Sequence, residues 1–128
     1  MSRGKVIKAS GLNVWPHEQY MADVLAEAGH VVEFLPTIDQ EGVYTPDVLL
    51  DGVRWEFKSP KGAKIDCVER SLKRGTKQSD KIIVSSHRVK YIPDKAIERE
   101  LTRKMRANKK VTIVKFINRK HEIIDITK

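Results

Sequence analysis

Asp47-Val48-Leu49-Leu50-Asp51-Gly52-Val53-Arg54-Trp55-Glu56-Phe57-Lys58 is the stretch whose pairing decides the fold. Asp51-Gly52 supplies the positive φ angles of a type I′ turn, so Val48 to Leu50 and Val53 to Lys58 are expected to form a tight hairpin. A two-residue loop sets the register: Leu50 opposite Val53, Leu49 opposite Arg54, Val48 opposite Trp55 and Asp47 opposite Glu56. Side chains alternate along a strand, so Glu56 and Lys58 share one face and Trp55 and Phe57 turn to the other.

Facing carboxylates have Cβ atoms about 5 Å apart, which is repulsive unless a cation or proton intervenes. Two such carboxylates suit a hard divalent cation, Mg²⁺ or Mn²⁺, with waters and a substrate phosphate completing its shell. An ammonium roughly 7 Å along the strand can orient a water or hold a phosphate oxygen, the role expected for Lys58. Asp47, Glu56 and Lys58 are therefore the candidate catalytic centre, with Asp47 and Glu56 as metal ligands. The same residues also fit a surface hairpin in which Asp47 caps a turn and Glu56 pairs with Lys58.

Working outward, Pro16 is placed to open a helix carrying Met21, Val24, Leu25 and Ala28 at helical spacing until Gly29. His30 to Leu35 reads as a strand, followed by a polar loop with Pro36, Gly42 and Pro46. Beyond the hairpin, Ile65, Val68 and Leu72 predict a second helix and Lys81 to Ser85 a buried strand. Pro93 or Asp94 opens a third helix with Ile97, Leu101 and Met105 inward, and Val111–Ile117 and Glu122–Ile126 form a hairpin turning at 118–121. The expected fold is mixed α/β (α+β), in the order αβββαβ and then αββ. With no repeat or linker in 128 residues, one domain is expected.

On the first helix, with Met21 at zero, Glu18 falls at about 60°, inside the apolar arc. It is a further candidate ligand or an anchor for Lys58, or else a first-turn residue favoured by the helix dipole.

The net charge of +8 is uneven: residues 1–57 hold 4 Lys/Arg against 9 Asp/Glu, and residues 58–110 hold 17 against 6. A basic half of this kind suits nucleic acid. Lys95, Arg99, Arg103, Arg106 and Lys110 form one stripe on the third helix, and Arg70, Arg74 and Lys77 a shorter one on the second. Cys67 is the sole cysteine, so no intramolecular disulfide can form. No apolar run reaches a membrane span and no signal pattern opens the chain, so a soluble protein of a reducing interior is expected. The histidines lack zinc-ligand spacing. Trp15 is expected to staple the first helix or to stack on a base. The oligomeric state is left open.

Pro46-Asp47 and Glu56-Phe57-Lys58, within the αβββαβ order of residues 16–85, resemble the PD-(D/E)XK nuclease superfamily. That resemblance implies a restriction-endonuclease-like core in which Asp47 and Glu56 bind metal and Lys58 assists the attacking water. Many of those enzymes also carry an acidic residue on the first helix, the place of Glu18. Thr45-Pro46-Asp47, Trp55 through Gly62 and Lys77-Gln78-Ser79-Asp80 together look like the C-terminal tRNase toxin domains of bacterial contact-dependent growth-inhibition systems. This second resemblance implies cleavage of tRNA rather than DNA with a divalent metal, an immunity protein as partner, action in the cytoplasm of a target cell, and Gln78 as an active-site candidate. No delivery domain precedes these residues, which fits an excised module or a free-standing relative. A DNA endonuclease, or a nucleic-acid-binding module without catalysis, remains the alternative from the residues themselves.

Overall fold

The computed structural model describes residues 4–36 and 47–128, with Asp47 described by its backbone alone. The polar loop with Gly42, the Thr45-Pro46 part of the motif and the direction of the Asp47 carboxylate lie outside the described residues. The elements are β1 (Lys5–Lys8), α1 (Pro16–Glu27), β2 (Val31–Leu35), β3 (Asp47–Leu50), β4 (Val53–Lys58), α2 (Asp66–Gly75), β5 (Lys81–Ser85), α3 (Asp94–Ala107), β6 (Ile113–Ile117) and β7 (Ile123–Thr127). The fold is mixed α/β, and the αβββαβ order appears as expected from α1 to β5. The chain divides into two units, Met1–Trp55 and Glu56–Lys128.

In the first unit the strands pair in the order β1-β2-β3-β4. The hairpin takes the register its turn dictates: Leu50 opposite Val53, Leu49 opposite Arg54 and Val48 opposite Trp55. Asp51 and Gly52 hold φ angles of 50° and 85°, the left-handed values of a type I′ turn. Asp51 also acts beyond the turn. Its carboxylate accepts the Val31 N–H at 2.8 Å and lies 2.7 Å from His30 Nδ1, while its own N–H donates to the Val31 carbonyl at 2.8 Å. The hairpin tip is thereby tied to the start of β2. Helix α1 lies against β1 and β2, burying Met21, Ala22, Val24 and Leu25, while Val32, Phe34, Val48 and Leu50 are buried on the strands.

Strand β1 was not expected from the sequence. It pairs parallel with β2, Lys5 opposite Val31, and the approach is made by Gly4, whose N–H donates to the Ala26 carbonyl at 2.8 Å. A Cβ at Gly4 would stand 1.8 Å from the His30 carbonyl oxygen, so only glycine fits.

In the second unit β4, β5 and β6 are parallel and β7 returns antiparallel to β6. One apolar cluster joins Cys67, Val68 and Leu72 of α2, Ile97, Leu101 and Met105 of α3, and Ile82, Val84, Val114, Phe116 and Ile126 of the strands. Helix α2 begins at Asp66, which leaves Ile65 outside it and 38% exposed; Cys67 takes the inward place expected of Ile65. Burial raises the Cys67 thiol pKa, with Asp66 adding and Arg70 opposing. Gly75 lets the last turn of α2 settle on Ile82, since a Cβ there would meet Ile82 Cδ1 at 2.9 Å. The β6–β7 turn is built on Asn118, whose side-chain oxygen accepts the N–H groups of Lys120 and Glu122.

Candidate active site

Strand β4 changes partner along its length. Val53 to Trp55 pair antiparallel with β3, and Glu56 to Lys58 pair parallel with β5. Glu56 stands opposite Ile82 and Lys58 opposite Val84. Residues directly opposite in a ladder point to the same face, so Glu56 and Lys58 lie on the face that α2 and α3 cover over β5. Trp55 and Phe57 turn the other way and are buried.

The alternation has a chemical result. Lys58 Nζ lies 3.6 Å from Glu56 Oε1, with the two side chains 23% and 15% exposed. An ammonium and a carboxylate this close, mostly withdrawn from solvent, interact more strongly than a surface pair because less water screens them. Asp47 opens β3, where its backbone stands opposite Leu35 of β2, and the β3–β4 ladder runs from Val48–Trp55 to Leu50–Val53. Among the described residues no group of three or more His, Cys, Asp or Glu could hold a metal ion. A hard cation such as Mg²⁺ does not require one, because it is held by one or two carboxylates plus water and substrate phosphate.

The other sequence candidates fall in different places. Glu18 is half-buried in the first turn of α1, where Oε1 accepts the Trp15 N–H at 2.9 Å. The carboxylate thus serves the helix N-terminus, satisfying a backbone donor that the helix leaves over. Trp15 itself is 65% exposed, and its ring stacks on His17 in the first turn of α1, with ring centroids 6.4 Å apart. Gln78 is exposed in the turn from α2 to β5, four residues before Ile82, and its N–H donates to the Gly75 carbonyl at 3.0 Å.

Lys95, Arg99, Arg103 and Arg106 are all exposed on α3. Arg99, Arg103 and Arg106 line a shallow depression of about 620 Å³ together with Glu98 and Thr102. Arg103 is partly engaged, donating from Nη2 at 2.8 Å and Nε at 3.2 Å to the nearly buried Glu100. Lys110 is a correction: α3 stops at Ala107 because Asn108 adopts extended backbone, so Lys110 does not continue the helical stripe. On and beyond α2, Arg70, Arg74 and Lys77 are exposed, with Arg70 3.6 Å from Asp66. Between the two helices Glu69 binds Lys104 and Lys73, and these ammonium groups lower its carboxyl pKa to about 2.

Two residues bearing on the site were not singled out from sequence. Beyond Lys58 the buried Ser59 accepts two hydrogen bonds from Arg88, at 3.1 Å to Oγ and 2.6 Å to the carbonyl. A Ser-Ser-His-Arg run after a buried strand was the available signal. It becomes meaningful once β5 is known to adjoin β4.

The model of the contact-dependent growth inhibition CdiA C-terminal domain matches residues 44–123. The chain belongs to this family. The match includes Asp47, Glu56, Lys58 and Gln78 and leaves out α1 with Glu18. Among solved structures, the domain is similar to one described as a CdiA-CT/CdiI toxin and immunity complex from Burkholderia pseudomallei. That likeness has a TM-score of 0.70 and 16% identity, and covers 97% of this chain and 100% of the other. At that identity it is a likeness of fold. No curated protein matches.

Proposed function

We propose that this domain is a growth-inhibition toxin that hydrolyses phosphodiester bonds in tRNA with the help of a divalent cation. The observation that carries the reading is the Glu56–Lys58 pair, 3.6 Å apart and sheltered on one face of β4, in a chain of this family. Asp47 and Glu56 would hold the cation, and their all-oxygen donors fit Mg²⁺ or Mn²⁺. The bound cation would supply Lewis acidity toward the phosphate. Beyond holding the cation, Glu56 keeps the Lys58 ammonium beside it, and Lys58 would donate from Nζ to the incoming water or to a phosphate oxygen. The rigidity of β4, paired in the region of both residues, holds these groups in place before substrate arrives.

Arg99, Arg103 and Arg106 on α3, with Arg74 and Lys77 near the end of α2, are proposed to contact substrate phosphates. Their support is exposure and a unit holding 21 Lys/Arg against 9 Asp/Glu. The solved relative's pairing with an immunity protein supports a cognate immunity protein here, and the family supports delivery into a target cell and action in its cytoplasm.

The test incubates the protein and Glu56→Gln with total tRNA and with plasmid DNA in Mg²⁺, Mn²⁺ or EDTA. Cleavage of tRNA that disappears in the variant and in EDTA is expected. Cleavage by the variant, or cleavage indifferent to EDTA, would overturn the mechanism. Cleavage of DNA alone would reassign the substrate.

A further inference from the structure

Lys58 occupies an exposed position in a mechanical sense, because it is the last ladder residue of β4. Two residues on stands Pro60, which has no N–H and cannot extend a ladder. Strand ends loosen first, and a side chain on the terminal residue inherits that looseness unless something else restrains the backbone. The Ser59 carbonyl, which a continuing strand would have engaged, needs a donor from elsewhere.

Arg88 supplies it. The guanidinium presents Nε and Nη2 as a rigid fork, and both donate to Ser59, at 3.1 Å to the hydroxyl and 2.6 Å to the carbonyl. Ser59 is 8% exposed, so water competes weakly for these bonds. Arg88 is itself held. It lies in a turn closed by the Val89 N–H on the Ser86 carbonyl at 3.0 Å, and Val89 bridges Gly62, where the Lys90 N–H donates to the Gly62 carbonyl at 2.8 Å. The base of the turn is buried, and Ser86 Oγ donates to Asp94 at 2.6 Å.

We infer that Arg88 is a positioning residue for the proposed nuclease reaction: by clamping Ser59 it fixes the end of β4 and holds the Lys58 ammonium beside Glu56. This rests on the proposed roles of Glu56 and Lys58. Arg88 touches neither the reacting phosphate nor the water; it acts through the backbone that follows Lys58. A reactive group displaced by about 1 Å can lose about 100-fold in rate, so loosening this end is felt in kcat rather than in substrate affinity.

The experiment compares wild type, Arg88→Met, Arg88→Lys and Ser59→Ala for kcat, KM and the pH dependence of kcat on tRNA. In parallel, the NMR signal of ¹³C-dimethylated Lys58 is recorded at one pH, assigned by its loss in Lys58→Arg. Arg88→Met should lower kcat about 10- to 100-fold with KM within about 2-fold, and should shift the Lys58 signal. Arg88→Lys, with one donor site in place of the fork, should recover part of the loss. Ser59→Ala keeps the carbonyl contact, so it should cost less than Arg88→Met and stand in for it if that variant fails to fold. Unchanged kcat with an unmoved Lys58 signal would overturn the inference, and so would a rise in KM at constant kcat, which would make Arg88 a substrate contact. If wild type cleaves neither polymer, the proposed function fails by itself. The Lys58 signal then decides alone: a shift in Arg88→Met supports the clamp, and no shift overturns it.

Discussion

The two units are held by different means. The second, Glu56–Lys128, is organised around one apolar cluster drawn from α2, α3 and the three strands β5, β6 and β7. The first, Met1–Trp55, buries fewer large side chains among its described residues and relies visibly on backbone fit: Gly4 against His30, and Asp51 locking the hairpin to β2. Charge divides them too, with 4 Lys/Arg against 8 Asp/Glu in the first and 21 against 9 in the second. The larger apolar cluster and the positive charge thus both belong to the second unit.

The sharpest test of this contrast is Leu101→Ala. Leu101 is fully buried in the apolar cluster, so its truncation should cost about 2 to 5 kcal/mol in urea unfolding. A cost below about 1 kcal/mol would mean that the cluster is not what holds the second unit. Next, Gly4→Ala should cost about 1 to 3 kcal/mol, since the new methyl meets carbonyl oxygen and the backbone must move. A neutral result would show that β1 contributes little to the first unit. The charge contrast is probed by Arg99→Glu/Arg106→Glu, expected to weaken tRNA binding about 10-fold or more and to reduce the slope of log K against log salt by about 1 to 2. Lys8→Gln in the first unit, which removes a contact to Gln19, should leave that slope unchanged.

The smallest effect is the pH dependence of Glu69. Its carboxyl sits at about 2 when folded, against an ordinary value of 4.5, because Lys104 and Lys73 bind it. A pKa depressed by folding stabilises above the unfolded value and loses that contribution as pH falls through the folded one. Acid unfolding should therefore show a loss between about pH 4.5 and pH 2 that Glu69→Gln flattens. The effect is largest at low salt, since the pair is partly open to solvent.

What the sequence made legible was local. The Asp51-Gly52 dipeptide set the register of β3 on β4, and alternation alone put Glu56 and Lys58 on one face. Helical spacing found the inward Ile97, Leu101 and Met105. Strand β1 escaped because Lys5-Val6-Ile7-Lys8 is four residues long, half of it lysine, and its partner β2 lies beyond a helix. Lys110 was placed on α3 because nothing in Asn108-Lys109-Lys110 forbids another helical turn; Asn108 ends the helix through its backbone, and its side chain takes the Lys110 N–H at 2.8 Å. Arg88 was invisible for the same reason as β1. Its partner Ser59 is 29 residues away, and only the β4–β5 ladder brings them together.

The strand order carries one more consequence. Within each unit every strand hydrogen-bonds to the strand next to it along the chain, with no strand skipped. The β3–β4 and β6–β7 steps need only a short turn, but the parallel steps β1–β2, β4–β5 and β5–β6 each cross over through a helix, as in Lys5 to Val31 and Lys81 to Ile113. Parallel pairing across such crossovers is slow to form, because each long loop must close before its ladder stabilises it. On refolding from denaturant the β3–β4 and β6–β7 hairpins should therefore form ahead of the helix-crossed parallel ladders.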